Sequence, residues 1–84
     1  MQEENTPLIA MEKLTHKEEE LMRYFWAHGP LFVREVVALC PEPRPHFNTV
    51  STIVRTLEAK GYLSHKAFGA TYQYFPVVSE EEFS

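Results

Sequence analysis

The segment His46–Lys60 carries polar side chains in an arrangement that suits hydrogen bonding to base edges. At about 100° per residue of an α-helix, its apolar residues fall in one sector, and polar residues lie opposite that sector or beside it. Arg and Asn can bond base edges, while Ser and Thr can bond bases or phosphates. These side chains are therefore candidates for contacts with DNA: Asn48, Thr49, Ser51, Thr52 and Arg55.

An ordinary amphipathic helix with a solvated polar face would show the same periodicity, which alone leaves the two interpretations about even. The large share of Thr, Ser and Asn favours the first, because these residues are mediocre helix formers on a surface that could carry Lys and Glu. Individual residues keep alternatives as well. Arg55 can pair with Glu58 at i+3, and Asn48 can bond within the first helical turn.

The net charge of −4 is unevenly distributed along the chain. Residues 1–43 hold eight Glu against four Lys and Arg, and residues 67–84 hold three Glu and no Lys or Arg. Between them, residues 44–66 carry one Glu and four basic side chains, which are Arg44, Arg55, Lys60 and Lys66. Because phosphate binding depends on local cations, this segment favours nucleic acid slightly.

Three residues around the polar helix are candidate phosphate contacts. Arg44 and His46 lie at its beginning, where a phosphate contact and an ordinary surface position are evenly balanced as interpretations. Lys66 lies in the segment that follows the helix, and we expect it to contact phosphate.

Two shorter helices are expected before the polar helix. Thr15 and Glu18 have the spacing of a capping box, so a helix is predicted from there to about Ala27, and His28-Gly29-Pro30 ends it. A second helix is predicted over Val33–Cys40, after a short strand or extended turn at Leu31-Phe32. Three prolines make helix untenable over 41–45, and Gly61 ends the third helix.

Two β-branched or aromatic runs follow, Tyr62–Phe68 and Thr71–Val77, separated by Gly69-Ala70 as in a tight hairpin. Leu63, His65 and Ala67 should share one face of the first strand, and Tyr72 and Tyr74 one face of the second. Three helices followed by a hairpin predict a mainly α fold with a small antiparallel β hairpin, namely a winged helix-turn-helix.

Several other classes of protein are disfavoured by the sequence. Cys40 is the only cysteine, so it is expected to be a buried or half-buried thiol. The four His are scattered without metal-ligand spacing, and nothing indicates a cofactor, a nucleophile–base pair or a phosphate-binding glycine loop. We expect a non-enzymatic cytoplasmic protein that has no membrane span or secretory signal and whose Trp26 packs at a domain edge.

Three pieces of the chain, in order and with near-gapless spacing, carry the motifs of one known family. The first is Leu14-Thr15-x-x-Glu18-x-x-Leu21-Met22-x-x-Phe25-Trp26 with Gly29-Pro30-Leu31-x-Val33-Arg34-Glu35-Val36. The second is Phe47-x-Thr49-Val50-x-Thr52 with Leu57-x-x-Lys60-Gly61-Tyr62-Leu63. The third is Tyr72-x-Tyr74-x-Pro76 with Val78-Ser79-x-Glu81. Over about residues 14–83 the chain thus resembles the penicillinase-repressor (BlaI/MecI/CopY) transcriptional regulators.

The resemblance implies a bacterial repressor that binds a palindromic operator in double-stranded DNA as a homodimer. It places Thr49, Thr52 and Arg55 on the DNA-facing helix, and Lys66 in the wing near the DNA backbone. Antibiotic-responsive members are cleaved in their C-terminal part through a membrane sensor-protease system, and copper-responsive members bind metal with C-terminal cysteines. We expect neither region in these 84 residues, so a sensor protease is a partner only through a further C-terminal part.

Two departures from the family pattern concern how the helices begin. Phe32 stands where the family often has Ser or Thr capping the second helix, and residues 40–45 form a proline-rich turn. We expect residues 1–13 to be a flexible lead-in, 14–78 the DNA-binding domain, and 79–84 the start of a truncated C-terminal dimerisation segment.

A winged helix used for protein interaction is the alternative function. The acidic total, the acidic first helix and three aromatic residues expected to be exposed would suit it, namely Tyr62, Phe68 and Phe75. Salt distinguishes the two functions, because DNA binding weakens steeply as salt rises.

Overall fold

The computed structural model describes residues 13–83, and the elements below are those of that part of the chain. They follow one another as α1 (His16–His28), β1 (Leu31–Phe32), α2 (Val33–Leu39), α3 (Phe47–Ala59), β2 (Leu63–Phe68), β3 (Thr71–Pro76) and α4 (Glu80–Phe83). The predicted order of three helices and a hairpin is confirmed. All but the last residue of the expected lead-in 1–13 lies outside the described residues.

Helix α1 begins with the predicted capping box. The Glu18 backbone N–H donates to Thr15 Oγ1 at 3.1 Å, and the Thr15 N–H donates to Glu18 Oε1 at 2.8 Å. These two bonds satisfy donors that the first turn of a helix leaves free. The helix ends where Gly29 takes a φ of 81°, a conformation that favours glycine.

Strand β1 extends the expected hairpin into a three-stranded antiparallel sheet with strand order β1-β3-β2. Leu31 pairs with Tyr74, and Phe32 pairs with Gln73. Helix α2 begins directly after β1 without a hydroxyl cap, and instead Glu35 Oε1 accepts the Phe32 backbone N–H at 2.9 Å. This bond supplies half of a capping box, so the departure at Phe32 does not prevent the helix from starting.

Helix α3 ends in a Schellman motif, in which the Gly61 N–H donates to Glu58 O at 3.0 Å and the Tyr62 N–H donates to Leu57 O at 3.0 Å. Gly61 has a φ of 89°. Tyr62 and Leu57 are both buried, which supplies the apolar contact that accompanies the motif. The motif therefore turns the chain directly from α3 into β2.

Strands β2 and β3 form the wing, and their register pairs His65 with Tyr74 and Ala67 with Tyr72. Residues directly opposite each other in an antiparallel pair share a face. The face predicted for His65 and Ala67 on β2 and the face predicted for Tyr72 and Tyr74 on β3 therefore form one face of the wing. Gly69 has a φ of 64° and Ala70 does not have a positive φ, as a two-residue type II′ turn requires.

The core lies between α1, α2, α3 and the base of the sheet. Its fully buried side chains come from all three helices and the start of the wing, namely Met22, Phe25, Val36, Val50, Val54, Leu57 and Tyr62. Cys40 is buried, as predicted, and its thiol donates to Val36 O at 3.3 Å. Burial raises the pKa of the Cys40 thiol, which keeps it protonated.

The short helix α4 rests on α1 through aromatic contacts. Trp26 Nε1 donates to Val78 O at 2.8 Å, and the ring centroids of Trp26 and Phe83 lie 5.4 Å apart. Trp26 is partly buried against the core, so the expected packing role is confirmed. A capping box of Ser79 and Glu82 begins α4.

Candidate nucleic-acid interface

Helix α3 divides its surface as its sequence periodicity predicts. Val50, Val54 and Leu57 are buried in the core. The opposite side is exposed and carries Asn48, Thr52 and Arg55, which we call the polar stripe. The Thr52 hydroxyl donates to the backbone carbonyl oxygen of Asn48 at 3.0 Å, which leaves the hydroxyl oxygen of Thr52 able to accept a hydrogen bond.

Arg55 does not pair with Glu58, although the two are three residues apart. Glu58 is held by the wing instead, because His65 Nδ1 lies 2.8 Å from Glu58 Oε2. The ring of His65 also stacks on that of Tyr72, with centroids 4.3 Å apart. Within residues 13–83, Arg55 makes no hydrogen bond or ion pair, so its guanidinium donors are available to an external ligand.

Thr49 and Ser51 flank the polar stripe on its two sides. Ser51 lines an open cleft of about 250 Å³ between α3 and the wing, which we call the α3–wing cleft. Thr49 lines a groove of about 330 Å³ between α3, α1 and the proline-rich turn. The two residues therefore line different clefts, and the candidate interface is wider than the polar stripe alone.

Arg44 and His46, the two candidates at the start of α3, both have bonds within the protein. The Arg44 guanidinium donates to Glu42 Oε2 at 3.0 Å and to Ala38 O at 3.3 Å. His46 is the N-cap residue of α3, and its Nδ1 accepts the Asn48 backbone N–H at 3.1 Å. A helix-capping role for His46 is a structural function that neither sequence interpretation contained.

Lys66 lies on β2 away from the polar stripe. It pairs across the wing with Gln73, so it occupies the face of the sheet opposite to His65 and Tyr74. Its ammonium lies 5.8 Å from the centre of the exposed Phe68 ring. The structure thus brings Asn48, Thr52 and Arg55 together and separates Lys66 from them.

Arg34 is a basic residue near this surface that the sequence interpretation missed. It lies in the acidic half of the chain, where the charge count gave no reason to choose it. In the fold it lines the α3–wing cleft with Ser51 and Arg55. Its position in the second helical residue of α2, at the start of the helix-turn-helix, was the signal available in the sequence.

Two further findings bear on the classes of protein considered above. The described residues hold no group of three or more His, Cys, Asp or Glu that could bind a metal ion. Among the same residues, no helix has the length and hydropathy needed to cross a membrane.

Comparison with known proteins places this arrangement in a family. A family model described as the penicillinase repressor matches residues 14–84. The chain belongs to the penicillinase repressor family. The family is one of transcriptional repressors, so membership gives DNA-binding repression as the chain's general function.

A solved structure supports the fold of this family member. The chain is similar to the solution structure of the DNA binding domain of the repressor BlaI, with a TM-score of 0.74 and 24% sequence identity. The likeness covers 88% of this chain and 92% of that one. It shows that the penicillinase repressor chain is a winged helix. No curated protein matches the chain.

The alternative of a protein-interaction module loses part of its support. Tyr62, expected to be exposed, is only 1% exposed because it closes the Schellman motif at the end of α3. Phe75 is half-buried. Phe68 is exposed as expected, but it lies on the wing beside Lys66.

Proposed function

We propose that the chain binds a palindromic operator as a homodimer, with the polar stripe of α3 in the major groove. The observation that carries this proposal is the free guanidinium of Arg55 on the polar stripe. That stripe lies on α3, which is the second helix of the helix-turn-helix formed by α2 and α3. A helix fits the major groove, and that groove presents a distinct pattern of donors and acceptors for each base pair.

The side chains of the polar stripe divide the reading of bases between them. Arg55 can bond the O6 and N7 atoms of guanine with two parallel N–H groups, and Asn48 can bond adenine in a similar way. Thr52 lies between them in the stripe and offers its hydroxyl oxygen and a methyl group. Thr49 and Ser51 flank these three and reach bases or nearby phosphates.

The residues at the edges of the surface have positioning roles. Lys66 contacts phosphate from the wing, where its charge does not depend on the base sequence. Arg44 and His46 lie where the backbone beside the start of α3 would pass, and their existing bonds within the protein reduce what each contributes. The interface therefore has a sequence-reading centre and a phosphate-binding edge.

A second copy of the domain supplies what one copy lacks. The polar stripe has a single cation, and the chain has a net charge of −4. Two copies on two half-sites double the phosphate contacts and match the twofold symmetry of a palindrome. Helix α4 follows the wing immediately, so a C-terminal segment can join the two copies.

The test begins with selection of bound DNA from a random pool, followed by fluorescence anisotropy on the selected operator. Affinity should fall steeply with salt, and Arg55→Ala should weaken operator binding by about 1–3 kcal/mol while random DNA is affected less. Arg23→Ala is the matched control, because Arg23 lies on α1 and is paired with Glu19 at 3.1 Å. Unchanged operator affinity in Arg55→Ala would exclude base reading by this residue.

The homodimer has a separate test. A half-site oligonucleotide should bind one copy weakly, and the full palindrome should bind two copies with higher affinity per copy. Sedimentation of the protein with each DNA measures the stoichiometry. One copy on the full palindrome at saturation would exclude the dimeric mode.

A further inference from the structure

Arg34 has the geometry of a preorganised anion contact. Its guanidinium carbon lies 5.0 Å from the centre of the Phe32 ring, and Phe32 in turn meets Phe68 with ring centroids 5.8 Å apart. Stacking on an aromatic face restrains a guanidinium and leaves the N–H groups of its edge free to donate. Among the described residues Arg34 makes no ion pair, so those donors face the solvent.

The α3–wing cleft that Arg34 lines favours an anion. Its described lining includes two arginines, Arg34 and Arg55, and four residues that carry hydroxyl groups, namely Ser51, Thr71, Tyr72 and Tyr74. No Asp or Glu belongs to that lining, although the chain has 12 acidic residues. A phosphodiester would meet positive charge and hydrogen-bond donors there, and none of the described residues that line the cleft carries a carboxylate.

The cleft also has an apolar component that suits a sugar. Phe47 is 49% exposed and Tyr72 is 48% exposed, and both belong to the cleft lining. Large exposed rings beside unpaired guanidinium groups suit a sugar–phosphate chain, because it alternates less polar deoxyribose with charged phosphate.

The proposed docking of α3 determines what enters this cleft. If α3 lies in the major groove and the wing extends toward the adjacent minor groove, one sugar–phosphate strand separates the two grooves. That strand must then pass between α3 and the wing, which is the position of the cleft. The inference rests on the proposed function for this geometry.

We propose that the α3–wing cleft holds the DNA strand between the two grooves and that Arg34 binds one of its phosphates. The contact is independent of base sequence, since a phosphate oxygen carries no base information. Arg34 thereby fixes the distance between α3 and the strand, while Arg55 on the opposite wall remains free to reach a base edge.

The experiment compares Arg34→Gln with the wild-type chain by fluorescence anisotropy on operator and on random DNA. Glutamine retains a polar stem but removes the charge, and Arg34→Lys retains the charge without the planar fork. The slope of log affinity against log salt should be shallower by about 0.9 for each bound copy of Arg34→Gln, because each copy releases one counterion fewer. At 0.1 M salt that corresponds to about an eightfold loss per bound copy, equal on operator and on random DNA.

Arg23→Gln is the matched control, with the same substitution on α1 away from the cleft, and it should leave slope and affinity unchanged. Arg34→Lys should keep the wild-type slope. A wild-type slope in Arg34→Gln, or a loss restricted to the operator, overturns the proposal. The proposed function fails differently, through a wild-type chain whose DNA affinity does not depend on salt.

Discussion

The two sides of this domain treat their basic residues differently. Around α1 each of three cations lies near a carboxylate, at 3.7 Å for Lys17–Glu20, 3.1 Å for Arg23–Glu19 and 2.7 Å for Lys60–Glu18. Around the α3–wing cleft, Arg34 and Arg55 have no such partner among the described residues, and neither does Lys66 on the outer face of the wing. The total charge of −4 is therefore compatible with DNA binding, because the acids neutralise cations on the side away from the proposed DNA surface.

The contrast is sharpest within α3 and its C-cap. Arg55 and Lys60 are five residues apart, and both belong to the basic segment that the sequence singled out. Lys60 is turned back toward α1, where its ammonium reaches Glu18 Oε1 at 2.7 Å and Lys13 O at 3.0 Å. One cation is thus available for a ligand, and the other holds the start of α1 against the end of α3.

The largest expected effect concerns the stability of the side of the domain around α1, where Lys17, Arg23 and Lys60 lie near carboxylates and which we call the paired side. Lys60→Met keeps the unbranched stem and removes the charge, which leaves the Glu18 carboxylate buried with only its bonds to Thr15. Breaking a largely buried ion pair by removing one partner is strongly destabilising, and we expect a loss of about 2–3 kcal/mol in the free energy of unfolding, because Lys60 keeps some exposure. Urea denaturation measures this loss.

The control is Lys17→Met, which removes an exposed cation 3.7 Å from Glu20. Exposed pairs contribute about 0–1 kcal/mol, so this variant should unfold nearly as the wild type does. Lys60→Met should also keep the wild-type salt slope of DNA binding under conditions where it is folded. Equal stability of the two variants would show that the Glu18–Lys60 pair is no stronger than a surface pair.

A smaller effect, on DNA affinity, is expected from the side of the domain that carries Arg34, Arg55 and Lys66, which we call the unpaired side. Lys66→Ala should weaken binding to operator and random DNA alike by about 1 kcal/mol per bound copy, and the salt slope should become shallower by about 0.9 for each copy. The free energy of unfolding should fall less in Lys66→Ala than in Lys60→Met, because the Lys66 ammonium contacts only the exposed Phe68 ring among the described residues. Anisotropy titrations at several salt concentrations measure the slope. If the slope stays at the wild-type value, the wing does not contact phosphate through Lys66.

Acid should weaken the paired side gradually. Burial disfavours the charged form of Glu18, but the hydrogen bonds from Lys60 and Thr15 outweigh burial and lower the pKa of Glu18. A carboxyl whose pKa is lowered by folding contributes stability above its unfolded pKa, about 4.3 for Glu. That contribution is lost as the pH falls through the folded pKa. The loss should be smaller than in Lys60→Met, because a protonated carboxyl leaves no buried negative charge.

Urea denaturation at neutral pH and below pH 4 tests this dependence. Glu18→Gln is the matched variant, since it cannot titrate but retains the shape of the side chain. The wild type should lose more stability than Glu18→Gln over the same pH range. Parallel losses in the two proteins would assign the acid sensitivity to other carboxyl groups.

The sequence predicted what depends on local rules. The capping box at Thr15, the glycine that ends α3, the Gly69-Ala70 turn and the apolar face of α3 each follow from nearby residues, and each is confirmed in the fold. These signals suffice to predict a winged helix, because the start, end and buried face of each element are indicated by residues within or next to that element.

The partners of the charged residues could not be predicted in the same way. The Glu18–Lys60 pair joins residues 42 positions apart. Glu58 pairs with His65 and not with Arg55, because β2 folds back along α3. Arg34 was missed for the same reason, since its neighbours in the chain are acidic while those in the fold are not. The pairing of β1 with β3 depends on a similar long-range contact.

Arg44 provides the smallest expected effect and tests whether pairing, not charge, decides which cations bind DNA. It lies in the basic segment, and it is 48% exposed, yet its guanidinium is bonded to Glu42 and to Ala38 O. A phosphate bound by Arg44 would lie beside the Glu42 carboxylate, which partly neutralises the guanidinium, so Arg44→Ala should lower DNA affinity less than twofold. Glu42→Ala releases Arg44, and it should raise affinity slightly and steepen the salt slope, an effect that should vanish in the double variant. An eightfold loss in Arg44→Ala alone would mean that an exposed ion pair does not withhold a cation from DNA, and the contrast between the two sides of the domain would then rest on position alone.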